Sequence, residues 1–116
     1  MARIYIAQGS WGKAEPYLLR AVRATEVSTG PDDGQVLVPL WGLCDLYDRV
    51  GKADKSQACW HRATGLMEKQ VGENSPNLVT SLTNEVNALR RLGRKNEADQ
   101  LEQRLEKIHR TAAQTN

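Results

Sequence analysis

Apolar residues recur at intervals of three and four along most of the chain, in stretches that end at glycine-containing turns. The stretch before Gly51 is typical, with apolar side chains at Leu40, Leu43, Cys44, Tyr47 and Val50. This spacing puts apolar side chains on one face of an α-helix, and the sustained alternation of a β-strand does not occur. The pattern therefore predicts an all-α chain, with helices at 1–8, 11–28, 37–50, 53–71, 76–92 and 95–111.

The turns recur at a constant step of 42 residues. Gly9, Gly51 and Gly93 each follow an apolar helical stretch, where a glycine just past the helix end relieves a left-handed backbone. Small residues keep the same step, at Ala14, Ser56 and Ala98 and again at Ala21 and Ala63. Alanine as a helix filler does not explain a fixed register, so we expect close helix packing at these positions. Repetition at this period is typical of stacked helical hairpins.

The residue types within each hairpin resemble the tetratricopeptide repeat (TPR), whose pattern is Trp-x2-Leu-Gly-x2-Tyr followed by Ala-x3-Phe. The middle unit matches as Leu40-x2-Leu43-Cys44-x2-Tyr47, and then as Ser56-x3-Trp60-x2-Ala63. The 42-residue step, and residues 9–21 followed by a GPDDG turn, are similar to the kinesin-light-chain type of this repeat. The resemblance covers nearly the whole chain and implies three hairpins stacked as a right-handed superhelix.

The chain is expected to form one TPR domain over 1–116, with repeat units at about 1–30, 31–72 and 73–116. The first helix is short, so we expect a truncated first unit and a fragment of a longer array. The third unit departs from the pattern at Glu85, Glu102 and Leu105. A terminal repeat needs a polar outer face, and the last helix is accordingly predicted to be a cap. Pro39 lies near a helix start and favours a start at about Val38.

In the resembled family, the first helix of each hairpin lines the concave groove of the superhelix. Carried over by position, the principal groove residues are Arg3, Trp41, Asp45, Arg49, Asn84, Asn87 and Arg91, with Val38, Asp48, Thr80 and Thr83 beside them. Asparagine can donate to and accept from a peptide backbone, and arginine pairs with carboxylates through two parallel hydrogen bonds. The resemblance thus implies a protein–protein interaction module that binds a peptide or partner protein in this groove.

Composition and charge argue against several other classes of protein. Sixteen basic and fourteen acidic residues give a net charge of +2, without the strong basic face of a nucleic-acid-binding domain. No apolar run approaches the roughly 20 residues that span a bilayer. Cys44 and Cys59 are too few for a disulfide framework or for a zinc site of four ligands. We therefore expect no nucleic-acid or membrane partner, and a reduced, cytoplasmic setting.

Candidate chemistry is sparse. Cys59 and His61 are alternate residues of one helix and point about 200° apart, so we expect a buried cysteine and a solvated histidine rather than a shared site. The basic group Arg90, Arg91, Arg94 and Lys95 could touch phosphate, but it lies at a helix C-terminus, where cations suit the helix dipole. We predict no enzyme, with no catalytic residue, metal or cofactor.

Two other functions stay open at this point. One is a structural segment that self-associates through the truncated N-terminal edge to form a homo-oligomer. The other is an accessory domain of a larger regulator or enzyme. A self-associating segment predicts a dimer in light scattering, whereas a peptide-binding module can be a monomer that gains stability with its ligand.

Overall fold

The structure, a computed structural model, describes residues 11–115, and within this range it contains α-helices and short 3-10 turns but no strand. The helices are α1 (Trp11–Thr29), α2 (Leu37–Arg49), α3 (Ala53–Val71), α4 (Val79–Arg91) and α5 (Lys95–Thr115). The predicted all-α fold is confirmed, and the predicted bounds of these helices agree to within four residues. The predicted helix 1–8, with Arg3 and Gly9, lies outside the described residues.

The start of α4 differs from prediction for a local reason, whereas α2 starts where its predicted range 37–50 starts. Pro76–Leu78 forms a 3-10 turn that leads into α4, after the Ser75 hydroxyl accepts a hydrogen bond from the Asn77 amide at 3.2 Å. Helix α2 begins at Leu37 rather than at Val38. Pro39 is then the third helical residue, where a backbone N–H would have no intrahelical partner and its absence costs nothing.

The glycines at the 42-residue step end α2 and α4 in the same way. Gly51 and Gly93 have φ values of 77° and 75°, in the left-handed region. After α2, the Lys52 amide donates to the Tyr47 carbonyl at 3.0 Å, and the Gly51 amide donates to Asp48 at 3.3 Å. The same pair of bonds follows α4. These are Schellman caps, so the repeated glycine reflects a repeated backbone requirement.

Each helix packs against the next along the chain, from α1 to α5. Buried apolar residues of α1, α2 and α3 form one cluster. Residues of α4, α5 and the turn before α4 form smaller clusters, such as that of Leu78, Leu82 and Ile108. The small residues Ala14, Ser56, Ala63 and Ala98 are fully buried.

Ala21 is exposed, so the close packing predicted for it is wrong. The buried stripe of α1 is formed by Ala14, Leu18 and Val22. These residues are four apart and therefore share one helix face, and Ala21 lies off it.

The two cysteines form a single disulfide, which differs from the expectation of a reduced setting. Cys44 of α2 and Cys59 of α3 are bonded, with Cα atoms 5.3 Å apart. Both side chains are buried where the two helices of one hairpin face each other. Sequence spacing could not show this pairing, because it depends on how α2 and α3 are aligned against each other.

Candidate functional site

A recess of about 820 Å³ opens between α2 and α4, with α3 beneath them. Its position follows from the packing order, because α2 and α4 both pack on α3. Its lining residues come from these three helices and from the 3-10 turn before α4: Trp41, Gly42, Asp45, Asp48, Trp60, Met67, Asn77, Thr80, Ser81 and Asn84. We call this surface the α2–α4 recess.

The α2 wall carries an aromatic ring followed by two carboxylates. Trp41, Asp45 and Asp48 are four and three residues apart, so they lie along one face of the helix. Trp41 is 38% exposed, unusual for so large an apolar side chain. Asp45 is bonded at 3.3 Å to Nε of Arg49. Both side chains of this ion pair are about half exposed, so it contributes little to stability.

The floor of the recess fixes the orientation of the second carboxylate. Trp60 of α3 is buried, and its indole Nε1 donates to Asp48 Oδ2 at 3.0 Å. The Ser56 hydroxyl donates to the other oxygen, Oδ1. Hydrogen bonds from a buried indole and a buried hydroxyl hold the Asp48 carboxylate in one position. Met67 lies further along the floor, where the Ser81 hydroxyl is 3.9 Å from its sulfur.

The α4 wall is polar and uncharged. Asn77, Thr80 and Asn84 present amide and hydroxyl groups across from the α2 wall, and these groups both donate and accept hydrogen bonds. The recess therefore combines an exposed indole, two carboxylates and neutral groups, and the lining residues from the described range 11–115 include no lysine, arginine or histidine.

The structure brings three of the principal groove candidates together, along with Asp48 and Thr80. Trp41, Asp45 and Asn84 line the α2–α4 recess, and Arg49 is bonded to Asp45 just outside it. Asn87 and Arg91 are exposed on α4 but are not among the lining residues. Arg3 lies outside the described residues.

The floor residues Trp60 and Met67 were not candidates. Trp60 holds a repeat-packing position and is buried. The structure adds that its N–H is aimed at Asp48. The indole N–H of a buried tryptophan usually finds a partner, but the sequence does not say which residue provides it.

A smaller recess of about 410 Å³ opens on α5, α4 and α3, around a buried glutamate. The Glu85 side chain is 4% exposed, and its Oε2 lies 3.1 Å from Nδ1 of His61, whose side chain is 76% exposed. Burial raises the pKa of the Glu85 carboxyl, and hydrogen bonds from His61 and Gln57 oppose this rise. His61 is thus a partner of Glu85 as well as a solvated residue. Arg94 of the same recess bonds to Glu97 and to Gln57, so most of its polar groups already have partners within it.

Two members of the basic group at the end of α4, Arg90 and Arg94, form ion pairs. Arg90 bonds to Asp99 and Glu102 of α5, and Arg94 bonds to Glu97. These bonds hold the pKa of both guanidinium groups above its usual value. Arg90 therefore ties α4 to α5, and Arg94 ties the turn between them to the first turn of α5.

Residues 11–115 contain no cluster of three or more histidine, cysteine, aspartate or glutamate side chains arranged for a metal ion. Within the same residues, no helix has the length and apolar character required to cross a membrane.

Comparison with solved structures identifies the architecture. No protein-family model matches the chain, and no curated protein sequence matches it. It is similar to crystal structures of kinesin light chain-type, nearly identical TPR-like repeats from Podosopora anserina, at a TM-score of 0.73 and 22% identity. A variant of those repeats with methionine in place of a glutamine gives a TM-score of 0.74, also at 22% identity. Each match covers 99% of this chain and 53% of the solved one, so this chain spans about half their length. The chain thus has the TPR-like repeat fold of stacked helical hairpins, as the 42-residue step predicts.

Proposed function

We propose that the chain is a protein-interaction module whose α2–α4 recess binds an extended segment of a partner protein. The observation that carries this proposal is the recess itself, with a half-exposed tryptophan on one wall and amide side chains on the other. The TPR-like fold supports it, because repeats of this kind expose long binding surfaces.

The chemistry of the walls suits a peptide in two respects. The Trp41 ring offers a large apolar surface that a ligand side chain could cover, and tryptophan is enriched among the residues that dominate binding energy at interfaces. The Asn77 and Asn84 amides can hold backbone N–H and C=O groups without selecting a sequence. We infer that Trp41 provides an anchor for a side chain and Asn84 holds the ligand backbone.

Selection from a phage-displayed library of random peptides, followed by calorimetric titration of synthetic peptides, tests the proposal. We expect saturable binding of one peptide per chain. Asn84→Ala should weaken this binding by about 1 kcal/mol for each hydrogen bond lost. It should leave the melting temperature nearly unchanged, because Asn84 is only partly buried.

Two matched variants define the extent of the site. Asn96→Ala removes an exposed amide from α5, outside the recess, and should bind like the parent chain. Asn87→Ala, alone and combined with Asn84→Ala, tests whether the ligand extends past the recess along α4. If Trp41→Ala and Asn84→Ala both bound the selected peptides as tightly as the parent, the recess would not be the binding site. Unfolding of the double asparagine variant would also contradict its assignment to an exposed groove.

The proposal describes a module without catalytic activity or a nucleic-acid partner. The ion pairs that Arg90 and Arg94 form with acidic residues support the absence of a nucleic-acid partner, since these guanidinium groups already have partners within the chain. Light scattering separates this function from self-association: a monomer that binds the selected peptides supports the module. A dimer that binds none of the selected peptides would instead support self-association through the N-terminal edge.

The sequence predicts a cytoplasmic location. The Cys44–Cys59 bond favours an oxidising compartment instead, because disulfides persist mainly in such compartments. Acid quenching of cells followed by alkylation and mass spectrometry tests this point. Alkylated Cys44 and Cys59 would support the cytoplasm, and a bonded pair would argue for an oxidising compartment.

A further inference from the structure

The charge of the α2–α4 recess is opposite to that of the whole chain. The chain carries a net charge of +2, whereas the charged residues that line the recess within the described part of the chain are Asp45 and Asp48. Clefts lined by one sign of charge concentrate ligands of the other sign. The recess therefore favours a cationic segment, and it disfavours an acidic one because both carboxylates would repel it.

The exposed indole indicates the same class of ligand for a separate reason. A guanidinium or ammonium group is attracted to the face of a tryptophan ring, and the Trp41 ring is partly open to solvent at the mouth of the recess. Asp45 follows Trp41 by four residues, so its carboxylate lies about 6 Å further along the same helix face. A single long cationic side chain can contact both the ring and this carboxylate.

The two carboxylates, Asp45 and Asp48, differ in how firmly the structure holds them. Asp48 is held by the Trp60 indole and the Ser56 hydroxyl, and it supplies a negative charge fixed in position at the floor. Among the described residues, Asp45 is bonded across an exposed turn of its own helix, to Arg49. Exposed ion pairs of this kind are weak, so an incoming guanidinium can take over the Asp45 oxygens at little cost.

We propose that the α2–α4 recess selects a basic side chain, preferably arginine, of the extended segment that it binds. The arginine would stack on Trp41 and donate to Asp45, with Asp48 adding a fixed charge beneath it. Arginine is preferred to lysine because its planar head both stacks on rings and forms two parallel bonds to a carboxylate. This inference rests on the proposed function, and it adds the chemical class of the ligand.

The test compares each selected peptide with a copy in which arginine is replaced by citrulline, which has nearly the same shape but no charge. We expect the selected peptides to be enriched in arginine and lysine. A hydrogen bond to a charged group contributes more than one between neutral groups, so we expect about a tenfold loss of affinity on replacement by citrulline. Asp45→Asn should produce a similar loss for the arginine peptide but little further loss for the citrulline peptide.

Asp54→Asn is the matched control, because it removes the same charge from an exposed position at the start of α3. It should leave affinity for the arginine peptide within about twofold. The inference is overturned if citrulline peptides bind as tightly as arginine peptides, or if Asp45→Asn and Asp54→Asn have equal effects. Selected peptides that are neutral or acidic but still depend on Asn84 would also overturn it and leave the proposed function intact. Absence of any saturable peptide would instead contradict the proposed function.

Discussion

Ala63 and Ala58 show that the position of an alanine on a helix determines whether it is buried. Both belong to α3, but Ala63 is fully buried and Ala58 is exposed. The repeat register identifies Ala63 as a packing position, because Ala21 precedes it by 42 residues. The same register is misleading at Ala21 itself, which is exposed. A repeated residue type therefore predicts a shared position in the hairpin, whereas burial also depends on what packs against that position.

We predict that Ala63→Leu destabilises the chain while Ala58→Leu does not. Leucine at position 63 adds atoms where none fit, and overpacking typically costs about 1–3 kcal/mol. An exposed alanine-to-leucine change on a helix should stay within about 0.5 kcal/mol. Urea unfolding of both variants measures the difference. Equal stabilities would show that the space around Ala63 can expand without cost.

A second prediction at the residue scale concerns the buried carboxyl of Glu85. Burial raises its pKa above the usual 4.5, so the folded chain holds this proton more tightly than the unfolded chain does. The contribution of Glu85 to stability is therefore greatest at low pH. It falls as the pH rises from about 4.5 through the higher folded-state pKa.

Glu85→Gln removes this titration and retains the shape and an oxygen that can accept from His61. We expect the variant to melt at a higher temperature than the parent near neutral pH, and the gain to vanish as the solution becomes acidic. Glu106→Gln, which removes an exposed carboxyl of α5, is the control and should show no such trend. A variant less stable than the parent at neutral pH would mean that the charged contacts with His61, Arg94 and Arg104 outweigh the cost of burial.

At the scale of elements, the C-terminal ends of α2 and α4 were predictable from sequence, because each depends on the local backbone conformation of one glycine. Gly51 and Gly93 adopt the left-handed conformation that their place in the repeat requires. Trp41 and Asp45, which the resemblance assigns to the groove-lining helix, lie on one face of α2 and line the recess. The Cys44–Cys59 bond and the hydrogen bond from Trp60 to Asp48 were not predictable from sequence. Both join different helices, and helix alignment is a property of packing that periodicity does not contain.

Substitutions at two glycines outside the core can distinguish the effect of backbone conformation on stability from the effect of packing. A Cβ atom added at Gly51 or at Gly65 would meet no atom within 4 Å, but Gly51 has a φ of 77° and Gly65 lies inside α3. We predict that Gly51→Ala destabilises the chain by about 1–2 kcal/mol, the cost of a left-handed alanine. Gly65→Ala should stabilise it by about 0.5–1 kcal/mol, because alanine favours helix interiors. Thermal unfolding measures both, and a change of the same sign in the two variants would contradict the assignment of Gly51 as a conformational cap.

At the scale of the molecule, the consecutive packing of α1 to α5 determines how a disturbance spreads. Helix α5 packs on α4 and on the 3-10 turn before it, whereas α3 lies between α2 and α4. The Cys44–Cys59 bond further joins α2 to α3. In repeat folds, stability is close to a sum of terms between neighbours. We therefore expect the C-terminal part, which lacks a disulfide, to open before the disulfide-bonded hairpin.

Ile108→Ala tests this order, because Ile108 of α5 is fully buried against Leu78 and Leu82. Truncating a buried isoleucine typically costs about 2–5 kcal/mol. Here it should weaken the packing of α5 against α4 and against the 3-10 turn that precedes α4. Hydrogen exchange should accelerate strongly in α5, less in α4 and hardly at all in α2 and α3. Thr111→Ala, a change of a partly exposed residue on the same helix, should leave the pattern unchanged. Equal acceleration in all five helices would show that the chain unfolds as one unit. The α2–α4 recess would then be as sensitive to changes at the C-terminal end as to changes in its own walls.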